Sequence, residues 1–202
     1  MAAPTFTTPE LKDDLEIPAI AVGSMAHSKP FVAKAEHQEP LGFPGELVEG
    51  WHDKAIAKMG DLLGKSRALR VFLDSCVKCG ACTDKCHYFL GTGDPKNMPV
   101  ARQDLMRQVY RRHFTLAGKF FPGLVGAKDL TREVLDDWYS YFHQCSQCRR
   151  CAVFCPYGID TAEISMAGRE IMDHIGMGQK YSNEIIGKVH KFGNNLGLQE
   201  KA

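Results

Sequence analysis

Long apolar runs are missing from this 202-residue chain: nowhere do the roughly 18 uninterrupted apolar positions that cross a bilayer occur. Charge of one sign is missing too. Lys and Arg number 25 against 24 Asp and Glu, which leaves no overall field to gather nucleic acid or anionic lipid. The opening residues, Met1-Ala2-Ala3-Pro4-Thr5, carry neither the basic nor the apolar region of an export leader, so a reducing compartment is expected. Alternating strand patterns are nearly absent, and residues 1–75 hold no cysteine. Together these absences argue against a membrane span, a nucleic-acid binder and a disulfide-stapled secreted protein. With 44% hydrophobic residues, the chain has enough apolar material for one domain with a core, plus tails.

What is present is concentrated. All eight cysteines fall in two runs of identical spacing, Cys76, Cys79, Cys82 and Cys86, then Cys145, Cys148, Cys151 and Cys155. Each run reads C-x2-C-x2-C-x3-C, and each cysteine of the first recurs 69 positions later, so the ligand set is an internal repeat. This is the spacing of bacterial-type iron–sulfur ligation, and eight thiolates supply two four-iron clusters. Zinc is the main competitor. A structural zinc site takes two ligands from each of two C-x2-C knuckles, which would leave the third and fourth cysteines of each run surplus. A disulfide framework belongs to short exported chains and fits poorly here.

Cysteines three apart bring three sulfurs round one curled loop, while the fourth begins to lead away from it. In two-cluster proteins of this type the fourth cysteine ligates the other cluster. The expected sets are therefore Cys76, Cys79, Cys82 and Cys155 for one cluster, and Cys145, Cys148, Cys151 and Cys86 for the second. Pro156 supports the first set, because a residue before proline is pushed to extended geometry and Cys155 is turned from its own loop. Cys86 precedes His87 instead, and so lacks that support; His87 is expected to hydrogen-bond or pack more than to ligate. Lys78, Lys85, Arg149 and Arg150 lie inside the motifs, where inward-pointing heads would favour the reduced clusters and outward-pointing ones would only solubilise the loops.

Around the motifs the pattern is helical. Residues 1–50 contain Pro4, Pro9, Pro18, Pro30, Pro40 and Pro44 without a sustained period and are expected to form an extended arm, whose Leu15, Ile17, Ile20, Phe31 and Phe43 suit a partner's surface. Trp51, Ile56, Met59, Leu62 and Leu63 predict a helix towards the first motif. Further helices are predicted over Leu105 to Phe114, over Leu130 to Phe142 after Asp129, from an Asp160/Glu163 capping box through Ile175, and from Ser182 to Gly193. The expected division is an arm over 1–50, a two-cluster domain over 51–178, and a terminal helix and tail over 179–202. Trp138, Tyr139, Tyr141 and Phe142 are expected to be core. Arg107, Arg111 and Arg112 form a basic stripe whose default is a solvated face, with a docking face as the alternative. Gly91-Thr92-Gly93-Asp94-Pro95 reads as a turn.

The two motifs, together with Gly91-Thr92-Gly93-Asp94-Pro95-Lys96-Asn97-Met98-Pro99 and Cys155-Pro156-Tyr157-Gly158-Ile159-Asp160, resemble the C subunit of heterodisulfide reductase. The similarity extends to the iron–sulfur half of the K subunit of the sulfite-reductase-associated membrane complex, and to C subunits of heterodisulfide-reductase-like complexes of sulfur oxidisers. It covers about half of the chain. The resemblance implies a mainly α fold, an α-helical ferredoxin domain with both clusters held between helices. It also implies an electron-transfer subunit of a sulfur-metabolism complex, placed between an A-type flavoprotein and a B-type cysteine-rich catalytic subunit. No residue of this chain is then expected to act as acid, base or nucleophile, and no nucleic acid is an expected partner. The K subunit continues into a cysteine-rich half, so an N-terminal fragment of a longer protein is one alternative. Another is the iron–sulfur subunit of a quinone-linked dehydrogenase, although that type carries a further cysteine set upstream that residues 1–75 lack. The expected location is the cytoplasm or the cytoplasmic face of a membrane complex.

Overall fold

A computed structural model describes residues 46–198. The expected N-terminal arm, with its apolar residues from Leu15 to Phe43, lies outside the described residues except for its last five positions. In chain order the helices are α1 (Trp51–Lys65), α2 (Arg67–Ser75), α3 (His87–Thr92), α4 (Pro99–Phe114), α5 (Leu116–Phe120), α6 (Pro122–Val125), α7 (Arg132–His143), α8 (Arg150–Val153), α9 (Thr161–His174) and α10 (Lys180–Phe192). Two single 3-10 turns, Thr83–Lys85 and Pro95–Asn97, complete the set, and no strand occurs among the described residues.

Helix α9 is the hub, packed against α1, α2, α4, α7 and α8. Its Ile164, Ala167, Ile171 and Met172 are buried with Met59 and Leu63 of α1, Leu69 and Leu73 of α2, Met106 and Val109 of α4, and Leu135, Trp138 and Phe142 of α7. Close approach of α7 depends on Gly168, where an added Cβ would stand 2.3 Å from the Phe142 ring. Trp138 is fully buried and donates its indole N–H to the Leu105 carbonyl at 3.1 Å, fixing α7 to α4. The aromatic group is therefore core, as its spacing predicts, with Tyr141 at the margin donating its hydroxyl to Asp94.

The internal repeat reaches beyond the cysteines. At the same 69-residue offset, Leu69 and Leu73 of α2 correspond to Trp138 and Phe142 of α7, and all four are core residues. Each helix ends just before its cysteine run, α2 at Ser75 and α7 at His143, so each run leaves a helix whose last turn is anchored by a buried side chain, Leu73 or Phe142.

Several boundaries differ from the predicted ones. The helix expected towards the first motif is broken at Ser66, whose hydroxyl accepts from the Leu69 N–H at 3.3 Å and so caps a separate α2. The same hydroxyl donates to Glu163 at 3.1 Å. Glu163 is thus used between helices instead of closing a capping box, although Asp160 does cap α9 through Ala162 N–H at 2.9 Å. Helix α4 begins at Pro99, six residues before its first predicted apolar position, with proline at the first turn where no N–H is needed. The predicted turn at 91–95 contains the end of α3, a left-handed Gly93, and Asp94 capping the following 3-10 turn.

The basic stripe is not a solvated face. Arg107 is 5% exposed, Arg111 donates to the Val125 carbonyl at 2.7 Å, and Arg112 donates to the Gly118 and Lys119 carbonyls at 3.5 and 3.4 Å. Arg111 and Arg112 answer backbone oxygens that the short helices α5 and α6 leave without partners.

Candidate metal centre

The two cysteine loops share one backbone path. Lys78 and Gly80 are left-handed in the first, at φ 58° and 79°, and Gln147 and Arg149 in the second, at 62° and 58°; each pair differs by the repeat offset. Left-handed residues in a tight loop are a feature of backbone nests that suit an anionic guest. Glycine adopts that conformation freely at position 80, whereas Arg149 adopts it against a steric preference of about 1 kcal/mol. Arg149 is held there by Asp160, 3.3 Å from its Nε.

Two neighbouring cavities form over these loops. The first, about 360 Å³ and partly open, is lined by Cys76, Cys79, Cys82 and Cys155, and also by Cys151. The second, about 310 Å³, is lined by Cys86, Cys145, Cys148 and Cys151. The fourth cysteine of each run thus lies with the first three cysteines of the other. Cys151 borders both cavities and is near enough to Cys82, its repeat counterpart, to affect its ionisation.

Helices α4 and α9 wedge between the cavities. Val100 and Gln103 face the first while Pro99 and Arg102 face the second, and Thr161 and Ala162 divide in the same way. Both helices therefore bring their positive N-terminal ends to the thiols.

The motif cations are largely engaged elsewhere. Lys78 pairs with Asp104, and Lys85 with Asp84 at 2.7 Å while lying over the Phe154 ring at 5.0 Å. Arg149 pairs with Asp160 as above, and Arg150 is exposed. The buried cation is one that motif reading missed. Arg102, 2% exposed, donates from Nη1 to Cys86 Sγ at 3.6 Å and from Nη2 to Asn97 Oδ1 at 2.8 Å. Cys86, which has no proline behind it, is instead the most enclosed of the eight at 8% exposure. His87 stands between Ser146 Oγ, 3.2 Å from Nε2, and Cys148 Sγ, 4.0 Å from Nδ1, which suits a hydrogen-bonding role. A second missed residue is Arg169 on α9, which donates to the carbonyls of Phe142 at 2.6 Å and Cys145 at 2.5 Å, and so clamps the start of the second loop.

Burial pushes the Cys82 thiol up to about 11, with Cys151 and Cys76 adding to the rise, and burial raises Cys151 likewise. Thiols gathered this tightly give up their protons only in exchange for metal. No carboxylate lines either cavity, while a buried guanidinium whose Nε has no partner among the described residues borders the second. That donor set fits an anionic, thiolate-ligated iron–sulfur cluster.

Comparison with known proteins agrees. Residues 72–159 match the 4Fe-4S dicluster domain family. Over 153 residues the chain is 52% identical to the Hdr-like menaquinol oxidoreductase iron-sulfur subunit 2 of Archaeoglobus fulgidus, and 48% to the iron-sulfur subunit of the same description from Archaeoglobus profundus. The chain belongs to the heterodisulfide-reductase-like iron–sulfur family. A subunit of the dihydromethanophenazine:CoB–CoM heterodisulfide reductase of Methanosarcina barkeri is 30% identical over 123 residues. In the Archaeoglobus pairs the aligned part is 76% of this chain and 28% of the relative, so the chain spans under a third of those family members. The Methanosarcina alignment covers 58% and 29%. No solved structure matches the chain. This family member is a mainly helical, two-cluster electron-transfer protein. Among its described residues no helix is long and apolar enough to cross a membrane.

Proposed function

We propose that this chain relays electrons within a heterodisulfide-reductase-like complex of sulfur metabolism, between an A-type flavoprotein and a B-type cysteine-rich subunit where the chemistry on sulfur occurs. Cys76, Cys79, Cys82 and Cys155 hold one four-iron cluster, and Cys145, Cys148, Cys151 and Cys86 hold the other. Each cluster supplies a reversible one-electron store. The observation that carries the reading is the common wall of the two cavities, formed at Cys151 beside Cys82, which keeps the stores adjacent and electronically in line. The chain's own residues enclose and tune: α4 and α9 present their amino ends, and Arg102 donates to Cys86 Sγ. The exposed Cys79 and Cys148 mark the points where each store comes nearest to the surface.

The names of the two Archaeoglobus relatives favour a second electron source, a menaquinol at a membrane in place of the flavin. Their greater length also favours a variant in which these residues are the iron–sulfur portion of a longer polypeptide. The proposed location is the cytoplasm or the cytoplasmic face of a membrane complex.

Anaerobic purification from the native host, with identification of the co-purifying chains and the mass of this polypeptide, tests the assembly. Iron and sulfide analysis should give about eight irons per chain. Reduction by bound flavin, but not by a menaquinol analogue, supports the first electron source and the converse supports the second. A preparation holding zinc without acid-labile sulfide overturns both.

A further inference from the structure

Away from the thiols, three residues from separate parts of the chain meet at one carboxylate. His52 Nε2 lies 3.0 Å from Asp129 Oδ1, and His113 Nε2 lies 2.8 Å from the same oxygen. His52 is in the first turn of α1, His113 in the last turn of α4, and Asp129 just ahead of the α7 cap. The two imidazoles meet edge to face at 5.6 Å, and one ligand atom from each of the three residues lies within 4.8 Å of the others.

We propose that His52, His113 and Asp129 form a mononuclear site for a divalent transition metal, with zinc as its natural occupant. Two imidazole nitrogens and one carboxylate oxygen are a zinc donor set that leaves a fourth position for water. Zinc–ligand bonds of about 2.0–2.2 Å place tetrahedral donors about 3.3 Å apart. The 3.0 and 2.8 Å separations from Asp129 are already close to that, and the two imidazole nitrogens, within 4.8 Å, close the rest by side-chain rotation. Half of the Asp129 side chain is exposed, which gives water that fourth position.

The surroundings are those of a ligand set. The other ring nitrogen of His52 faces Asp53 Oδ1 at 3.1 Å, an arrangement that orients a coordinating imidazole and raises its basicity. Asp129 Oδ1 is itself fixed by the Leu130 N–H at 2.9 Å. His113 stands at a helix carboxyl end, where unpartnered carbonyls favour a cation. Without metal, both imidazoles must carry a proton on Nε2 to share one acceptor. The bonds to Asp129 and then Asp53 raise the His52 pKa, and the bond from His52, opposed by burial and reinforced by the His113 bond, sets Asp129 down at about 2. Zinc takes the place of the Nε2 proton on each ring: His52 keeps its Nδ1–H on Asp53, and His113 binds as the neutral tautomer with its proton on Nδ1.

The site is distinct from the cysteines. Helix α4 has 16 residues and α7 has 12, with Pro99 and Cys145 at the thiol ends. At about 1.5 Å per residue, His113 and Asp129 lie about 18–24 Å away along those helices. Between His113 and Asp129 the chain makes the excursion of α5 and α6, whose Leu116, Phe120, Phe121 and Leu124 are 62–86% exposed. A metal at the base would lock that excursion onto α1.

The test uses anaerobically purified, cluster-loaded protein, stripped of loose metal with a weak chelator and titrated with zinc by calorimetry. Retained zinc, iron and sulfide are then measured after gel filtration. One zinc per chain should remain with the iron content unchanged. His113→Ala and Asp129→Asn should each weaken zinc binding by about 100-fold or more, and Asp53→Asn by about 10-fold, with iron, sulfide and helicity intact. Asp53 is exposed at the surface, so its variant reports on coordination even if a ligand variant fails to fold. No retained zinc in the wild type overturns the proposal. So does zinc that survives both ligand variants or rises as iron is lost, since it then sits on cysteine. The iron and sulfide values test the two-cluster reading separately from the zinc value.

Discussion

The first cavity makes its left-handed bend at Gly80, has Gln103 beside it, and takes its fourth sulfur from Cys155, ahead of a proline. The second makes the same bend at Arg149, has the buried Arg102 beside it, and takes its fourth sulfur from the enclosed Cys86. Copying the loop preserved the path of the chain and the spacing of the sulfurs. The surroundings, which decide how much charge each site tolerates, come from α4 and α9 and were not copied. One residue step along α4, from Arg102 to Gln103, separates a buried charged side chain against the second cavity from a neutral one against the first, where the lining cation Lys78 is paired with Asp104. Since reduction adds negative charge, the second site should be the easier to reduce.

The largest expected effect comes from breaking one site and sparing the other. Cys86→Ser should abolish the second cluster, and Cys155→Ser the first, each taking iron from about eight to about four per chain. Electron paramagnetic resonance of the reduced variants should lose a different signal in each case. If Cys86→Ser removes the signal of the first site, the exchanged fourth ligand is wrong.

Next in size is the charge difference between the two walls. Arg102→Gln should lower the potential of the second site by on the order of 100 mV, as removal of one buried charge a few ångströms away implies, and leave the first nearly unmoved. Potentiometric titration followed by resonance spectroscopy resolves the two. Equal shifts would mean that the contrast between the walls is not what separates them.

Gly168→Ala acts through packing. The new methyl must displace the Phe142 ring, at a cost of about 1–3 kcal/mol, and α7 leads directly to Cys145. Anaerobic thermal unfolding should show the loss, and oxygen should bleach the second cluster faster than the first. The smallest effect is expected at Arg149→Gly, which relieves about 1 kcal/mol of backbone preference and gives up an exposed ion pair with Asp160. The two nearly cancel, so the melting temperature should move by only a few degrees. A large loss would show that the Arg149 side chain, more than the bend it makes, holds the second loop.

Much of this was legible in the sequence. The repeat of cysteines, the helical periods around Met59, Trp138 and Ile171, and the Asp160 cap all stand in the structure. What escaped has a common physical cause. Helix α4 buries Arg102, Gln103 and Arg107 because its inward face looks onto thiols and carbonyls, so its first half carries no apolar period to read. Arg102 lies 16 positions from Cys86, outside any motif, and could have been found only as a cation in a helix that ought to be buried. Arg169 was hidden in the same way, an arginine on the most buried helix that answers the carbonyls at the end of α7. The separate helix α2 was missed because Ser66 interrupts a run that reads as continuous until its hydroxyl is seen to cap Leu69.

The proposed exchange of fourth sulfurs between the loops would also constrain how the molecule is made. As the chain leaves the ribosome, the pocket over Cys76, Cys79 and Cys82 stays one sulfur short until Cys155 has been synthesised, 69 residues after Cys86 closes the first run. With ligands exchanged in that way, neither half would mature as an independent unit, and iron delivered too early would meet an incomplete cage. On the proposed ligand sets, insertion of both clusters would be a late event that waits for the last cysteine of the second loop.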